Sequence, residues 1–289
     1  MKRLALVALF AISCGATQGQ AQTLSLAYSK GATYTYKVHM TLDETVDLGA
    51  ITEPLKVDMT ATETQTVKSV DSTGVADIRI SLTAVNIKTT VGGVSSTTTT
   101  TVPTEDVKVA SDGRVLGING LAFSGGSPFG AAGGGGTGSA IFPDGTVKPG
   151  DSWTKDYDQT NPLGTGSVHV TTTSKYLRDE TINGTRTAVG QTTINTPMNM
   201  TIDFSTFGQM TGSNTTLPIT GIQGMAIKGT QMADATTWLD AKAHRLVKST
   251  MSSKIDATFS FVVSAASTIP ALKGPFAIKG TQTMDLTPA

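Results

Sequence analysis

The 289-residue sequence carries 22 Lys plus Arg and 22 Asp plus Glu, with 38% hydrophobic and 15% charged residues. A formal net charge of zero leaves no basic field to attract nucleic acid, and the chain is too apolar and too weakly charged to remain disordered. Thr, Ser and 31 Gly make up much of the rest, which suits strands better than helices, because β-branched Thr fits a pleated sheet and Gly weakens a helix.

Met1, Lys2 and Arg3 form a short positive segment, and Leu4 to Ile12 is an uninterrupted apolar run. Together they have the form of a secretory signal. The run is shorter than the about 20 apolar residues that span a bilayer, and no later segment approaches that length. Two processing routes compete. Gly19-Gln20-Ala21 before Gln22 places small residues where an ordinary signal peptidase reads them. Phe10-Ala11-Ile12-Ser13-Cys14 resembles a bacterial lipobox, in which Cys14 would be lipidated, although Ala11 replaces the usual apolar residue three before the Cys. Cys14 is the only cysteine, so it forms neither an intramolecular disulfide nor a corner of a Cys metal cluster.

Strict alternation then recurs. Tyr34, Tyr36, Val38 and Met40 form one apolar series, and Leu55, Val57, Met59 and Ala61 another. Ala76 to Ala84 and Met198 to Phe204 repeat the pattern. Period two with one apolar face predicts strands covered on one side only. Asp71-Ser72-Thr73-Gly74 supplies a turn, and Gly92-Gly93, Asp112-Gly113 and Asn183-Gly184 are two-residue hairpin signals. Asp240 to His244 reads as a further hairpin loop. Residues 117–138 break the alternation with a Gly-rich stretch read as a loop or lid.

The expected fold is all-β and antiparallel: a curled sheet, a half-barrel or two related β lobes. The divisions expected are a signal at 1–22, a first β half at 23–142 and a second at 143–289. An old duplication is suggested by Gly31-Ala32-Thr33-Tyr34 against Gly150-Asp151-Ser152-Trp153. Ala226-Ile227-Lys228-Gly229-Thr230-Gln231 likewise matches Ala277-Ile278-Lys279-Gly280-Thr281-Gln282. Thr-rich strands also resemble one another by composition alone. The strand beginning Lys30-Gly31, followed by Phe142-Pro143-Asp144-Gly145-Thr146-Val147-Lys148-Pro149-Gly150-Asp151-Ser152-Trp153, resembles an uncharacterised family of bacterial exported proteins and lipoproteins. The resemblance implies export and a β fold, and it brings no catalytic residue.

No chemistry-bearing motif stands out. His39, His169 and His244 lack metal-ligand spacing. Ser152-Trp153-Thr154-Lys155 has the Ser-x-x-Lys spacing of penicillin-recognising enzymes, but as a strand it sends Ser152 and Lys155 to opposite faces. The Gly run at 133–138 lacks the flanking strand and helix of a dinucleotide site. Asp179 to Gly184 recurs better as a hairpin than as a calcium loop. Trp153 and Trp238 read as core or edge anchors before they read as sugar platforms. No cofactor, metal or catalytic group is therefore assigned. The expected function is an exported envelope protein binding a lipid or other apolar ligand, touching the membrane only through a lipid anchor on Cys14. The alternative is a structural or interaction protein of the envelope, and an enzyme ranks last. The candidate ligand residues are Met198, Met200, Ile202, Phe204, Phe207 and Met210, where adaptable Met and aromatic side chains cluster among glycines.

Overall fold

The computed structural model describes residues 20–47, 49, 51–119, 121–122, 141–160, 164–204, 221–263 and 274–289. Its main feature is one antiparallel sheet. The strands on its path are β10 (Ser152–Thr160), β12 (Ser167–Ile182), β13 (Thr185–Asp203), β14 (Ile222–Asp240), β15 (Arg245–Val263) and β16 (Phe276–Pro288). The path continues through β2 (Thr33–Asp47), β3 (Thr52–Val70), β4 (Ala76–Val91), β6 (Glu105–Val109), β7 (Val115–Ile118) and β8 (Leu121–Ala122), in that spatial order. The last strand thus returns to the first long one, with β16 paired to β2 from Ala277↔Asp47 to Pro288↔Tyr36. Both halves of the chain share this one sheet. Of the expected architectures, the single curled sheet is the one observed. Two short strands lie off the path: β5 (Val94–Thr100) on β4, and β11 (Gly164–Thr165) on β13.

The predicted turns join these strands with one correction. Asn183 and Gly184 have φ of 48° and 80°, and Gly92 and Gly93 have 54° and 85°, the double positive φ of a type I′ hairpin. Asp112-Gly113 is not a two-residue turn. Gly113 N–H donates to Ala110 O and Ala110 N–H to Arg114 O, so the loop is longer, with Gly113 at φ 92° as its bulge residue. Asp71 to Val75 repeats that arrangement.

The strands are long. At 19 residues each, β13, β14 and β15 would reach about 60 Å if straight. Gly229 and Gly280 mark places where neighbouring strands come unusually close. A Cβ on Gly229 would come within 2.6 Å of the Ala257 Cβ, and one on Gly280 within 2.7 Å of the Glu44 Cα, so neighbouring backbone approaches too closely for any side chain. These are the glycines of the matched Ala-Ile-Lys-Gly-Thr-Gln segments, and both segments flank β15.

The sheet curls until its two ends meet through side chains. Lys155 on β10 reaches Asp112 in the β6–β7 turn, and Arg114 lies over the Tyr157 ring at 5.9 Å. An N-terminal strap seals this end. Gln22–Thr23 (β1) pairs with Thr146–Val147 (β9). Leu24 and Leu26, each 2% exposed, enter the core. Leu26 N–H donates to Ser111 O and Ala27 N–H to His244 O, fixing the strap to two turns.

The Phe142-to-Trp153 motif is the second strap. Phe142 is buried and its N–H donates to Asp112 O. Val147 pairs with Gln22. Asp151 accepts from Lys148 N–H, Gly150 at φ 100° donates to Tyr176 O, and the Trp153 indole donates to Ile141 O. Each of these residues has an architectural role at the sealed end.

Candidate functional site

The inner face of the curl can be followed strand by strand from the pairing register. Near the sealed end, Ala61, Val38, Leu286, Ser249, Thr237, Gly190 and Tyr176 are successive cross-strand partners. All but half-buried Gly190 are buried. The next inner row away from that end reads Ile87, Met59, Met40, Met284, Met251, Ala235. Four methionines on four adjacent strands thus form a continuous floor, and the Gln282 amide donates to the Met40 sulfur at 3.4 Å. Met is soft and unbranched and adapts to irregular partners.

Beyond this floor the inner face is less covered. On β2, Tyr36 and Val38 are buried, whereas Leu42, Glu44 and Val46 are half-buried. On β3, Ala61, Glu63, Gln65 and Val67 are buried, whereas Leu55 and Val57 are half-buried. Among the described residues, Leu42, Val46, Leu55 and Val57 belong to neither of the two packed apolar clusters. At the far end Phe259, Phe261 and Phe276 stand with ring centroids 5.4–6.0 Å apart. Glu44 lies among these apolar side chains, directly across from Gly280, and burial raises its carboxyl pKa. The result is an apolar inner surface with a methionine floor, an aromatic group near the opposite end, and Glu44, Gln231 and Gln282 on its wall.

The predicted ligand residues divide. Met198, Met200 and Ile202 do share the inner face of β13 and are 3–6% exposed. Met198 and Met200 are packed with Val168, Val170 and Ala257 in the smaller cluster, against Tyr157, Ile227, Ile255 and Ile278. Phe204, just past β13, is half-buried. Phe207 and Met210, like Cys14 and the Gly run at 133–138, lie outside the described residues.

Glu63 and Gln65 were not singled out from the sequence, yet they form a deeply buried, hydrogen-bonded pair, each 1% exposed. The Gln65 amide donates to Glu63 at 2.7 Å. Burial drives the Glu63 pKa up, and the Gln65 bond offsets part of that rise. Half-buried Glu105 is raised as well, first by burial and then by Glu63. The signal was available: continuing the alternation of Val57, Met59 and Ala61 leads to Glu63, Gln65 and Val67.

The histidines do not converge. His39 meets Asp58 at 3.2 Å and His169 meets Asp158 at 2.8 Å, both on the exposed face. His244, in the β14–β15 turn, bonds Ser25 of the strap. No group of three potential metal ligands occurs among the described residues. Ser152 and Lys155 fall on opposite faces of a strand, as expected. On the outer face, beside Gly280, lies a shallow hollow of about 470 Å³ lined by residues such as Asp43, Lys254, Asp256 and Lys279.

No family model matches the chain, and no curated protein matches it. Among solved structures it is similar to the crystal structure of the hypothetical lipoprotein YmcC from Escherichia coli (K12). The identity is 12%, the alignment covers 91% of each chain, and the TM-score is 0.29.

Proposed function

We propose that this is an exported protein of a bacterial envelope that holds an acyl chain, or an apolar ligand of similar shape, against its half-exposed inner face. The observation behind this reading is the set of Leu42, Val46, Leu55 and Val57, which face inward, stay half-exposed and join neither packed cluster. Exposed contiguous apolar surface on a soluble fold commonly marks a binding site. Along β16 the surface runs from Met284 to Phe276, about 26 Å at ~3.3 Å per residue. One acyl chain occupies about half of a ~30 Å hydrocarbon core, so it fits within that length. Glu44, Gln231 and Gln282 would supply polar contacts to a head group. Export rests on the positive segment and apolar run at residues 1–12.

A second reading, a structural or interaction protein without a small ligand, draws on a different observation. Met198 and Met200 already have packing partners within the chain. The two readings separate on lipid extraction. Native protein should release lipid detectable by mass spectrometry and should bind an apolar fluorescent probe saturably. Val57→Glu should abolish probe binding, whereas Thr60→Glu on the outer face should not. Met200→Glu would disturb the packed cluster and so reports on folding. Absence of both lipid and saturable binding would leave the structural reading.

A further inference from the structure

The strand β5 (Val94–Thr100) is a bare sheet edge. All seven of its residues are exposed, and among the described residues it pairs only with β4. The type I′ turn at Gly92-Gly93 fixes its register, with Val91 opposite Val94. Residues flanking such a turn exchange both backbone bonds, and the pattern then alternates. Val94, Ser96, Thr98 and Thr100 therefore bond to β4, while Ser95, Thr97 and Thr99 direct N–H and C=O away from the sheet. Side chains hold the strand in place: Thr90 bonds Ser95 at 2.7 Å and Thr99 donates to Asn86 at 3.1 Å.

Exposed edges are normally guarded by charge, Pro or a bulge, because an open ladder recruits other strands. The opposite edge follows that rule: β10 carries Lys155, Asp156 and Asp158. β5 does not. Between Lys88 and Glu105 there is no charged residue, the pairing of β4 with β5 is free of register shifts, and Pro103 comes only after the strand ends.

We propose that β5 is a self-association edge, pairing antiparallel with β5 of a second copy about a two-fold axis at Thr97. In that register Thr97 faces Thr97 and Ser95 faces Thr99, so every outward N–H meets an outward C=O. The strand is its own complement in length and spacing. Hydroxyl side chains pair favourably across strands, and β5 itself carries no charge to be repelled or to select a foreign strand; the nearest, Lys88, lies one strand back, across from Thr97.

Sedimentation of the purified protein over a concentration series tests this. Wild type should show a reversible monomer–dimer equilibrium. Thr97→Pro removes an outward N–H that the fold does not use, and Thr97→Lys places two like charges at the axis. Each should raise the dissociation constant about tenfold or more, equivalent to ~1.4 kcal/mol, with an unchanged melting curve. If Thr97→Pro fails to fold, Thr97→Lys decides. Val94→Ser, at the apolar tip of the hairpin, should leave the dimer intact. A protein that stays monomeric, a dimer that tolerates Thr97→Lys, or one lost only in Val94→Ser would overturn the proposal.

Discussion

Lys155 Nζ lies 3.2 Å from Asp112 Oδ2, although the two residues belong to opposite ends of the strand order. Among the described residues β10 and β6 to β8 share no backbone pairing, so side chains make this junction. The Asp112 carboxylate also accepts from Arg114 at 2.8 Å, and Lys155 reaches Asp144 at 2.8 Å. Lys155 and Asp112 are 16% and 13% exposed, so this seam is screened less than the ion pairs on the outer face. A curl closed by side chains has to be held by specific residues, and these can be removed one at a time.

Asp112→Ala should be the costlier change. It leaves Arg114 and Lys155 without their shared acceptor, and losing one partner of a largely buried ion pair costs about 3 kcal/mol or more. Lys155→Ala leaves the Asp112–Arg114 bond intact and should cost about 1–2 kcal/mol, nearer the value of one charge-assisted hydrogen bond. Urea unfolding midpoints rank the two variants. Equal losses would mean that the seam is not organised around Asp112.

Glu63 makes stability depend on pH in an identifiable direction. Its folded pKa is raised by burial. Between the ordinary glutamate value and that raised value, the folded state binds the extra proton, so stability falls as pH increases. Glu63→Gln keeps an acceptor for the Gln65 amide and removes the titration. The variant should be more stable than wild type at pH 7.5, by about 1.4 kcal/mol for each unit of the rise, and the gain should vanish near pH 4. Denaturant titrations at both pH values check the sign. A gain that persists at pH 4 would point to packing as the cause.

Most of this fold was legible from local chemistry. The apolar alternations became strands, and the positive-φ glycines at 74, 92, 93 and 184 became turns. What depends on distant pairing was not legible. Met251, Met284, Met40 and Met59 become one row only when β15, β16 and β2 align, and nothing local announces that register. The Phe142-to-Trp153 motif shows in the sequence only as a family mark, because its partners Asp112, Tyr176 and Gln22 lie far away in sequence. Met198 and Met200 were placed on the correct face, but alternation does not say what packs against that face.

The glycines that permit the curl can be told from those that merely occur in strands. Gly280→Ala should destabilise by about 2 kcal/mol or more, as forced overpacking does, because its Cβ would strike the Asp43 and Glu44 backbone. Gly190→Ala places its Cβ 3.5 Å from the Thr237 hydroxyl, an ordinary contact. It should be neutral or should stabilise by about 0.5–1 kcal/mol, since Ala loses less backbone freedom than Gly. Thermal melts of the two variants should move in different directions. A shared direction would mean that the close strand approach at Gly280 does not require glycine.

The N-terminal strap sets the terms for a test of lipidation. The fold uses the chain from Gln22 onward, with Leu24 and Leu26 buried and the Gln22 amide bonded to the Tyr176 hydroxyl. Cleavage after Ala21 and lipidation at Cys14 would both leave that strap whole, so stability does not distinguish them. Membrane attachment does. With Cys14 diacylated, two buried chains at ~0.8 kcal/mol per methylene anchor a protein stably. The eight residue steps from Cys14 to Gln22 would then span up to about 27 Å, so the sealed end would be held near the bilayer. Wild type should incorporate a fatty-acid analogue in cells and sediment with membranes, whereas Cys14→Ser should be unlabelled and soluble. Its melting curve and its apolar-probe binding should match those of wild type, because the strap and inner face are untouched. Wild-type protein that is unlabelled and begins at Gln22 would replace the anchored form with a freely diffusing one.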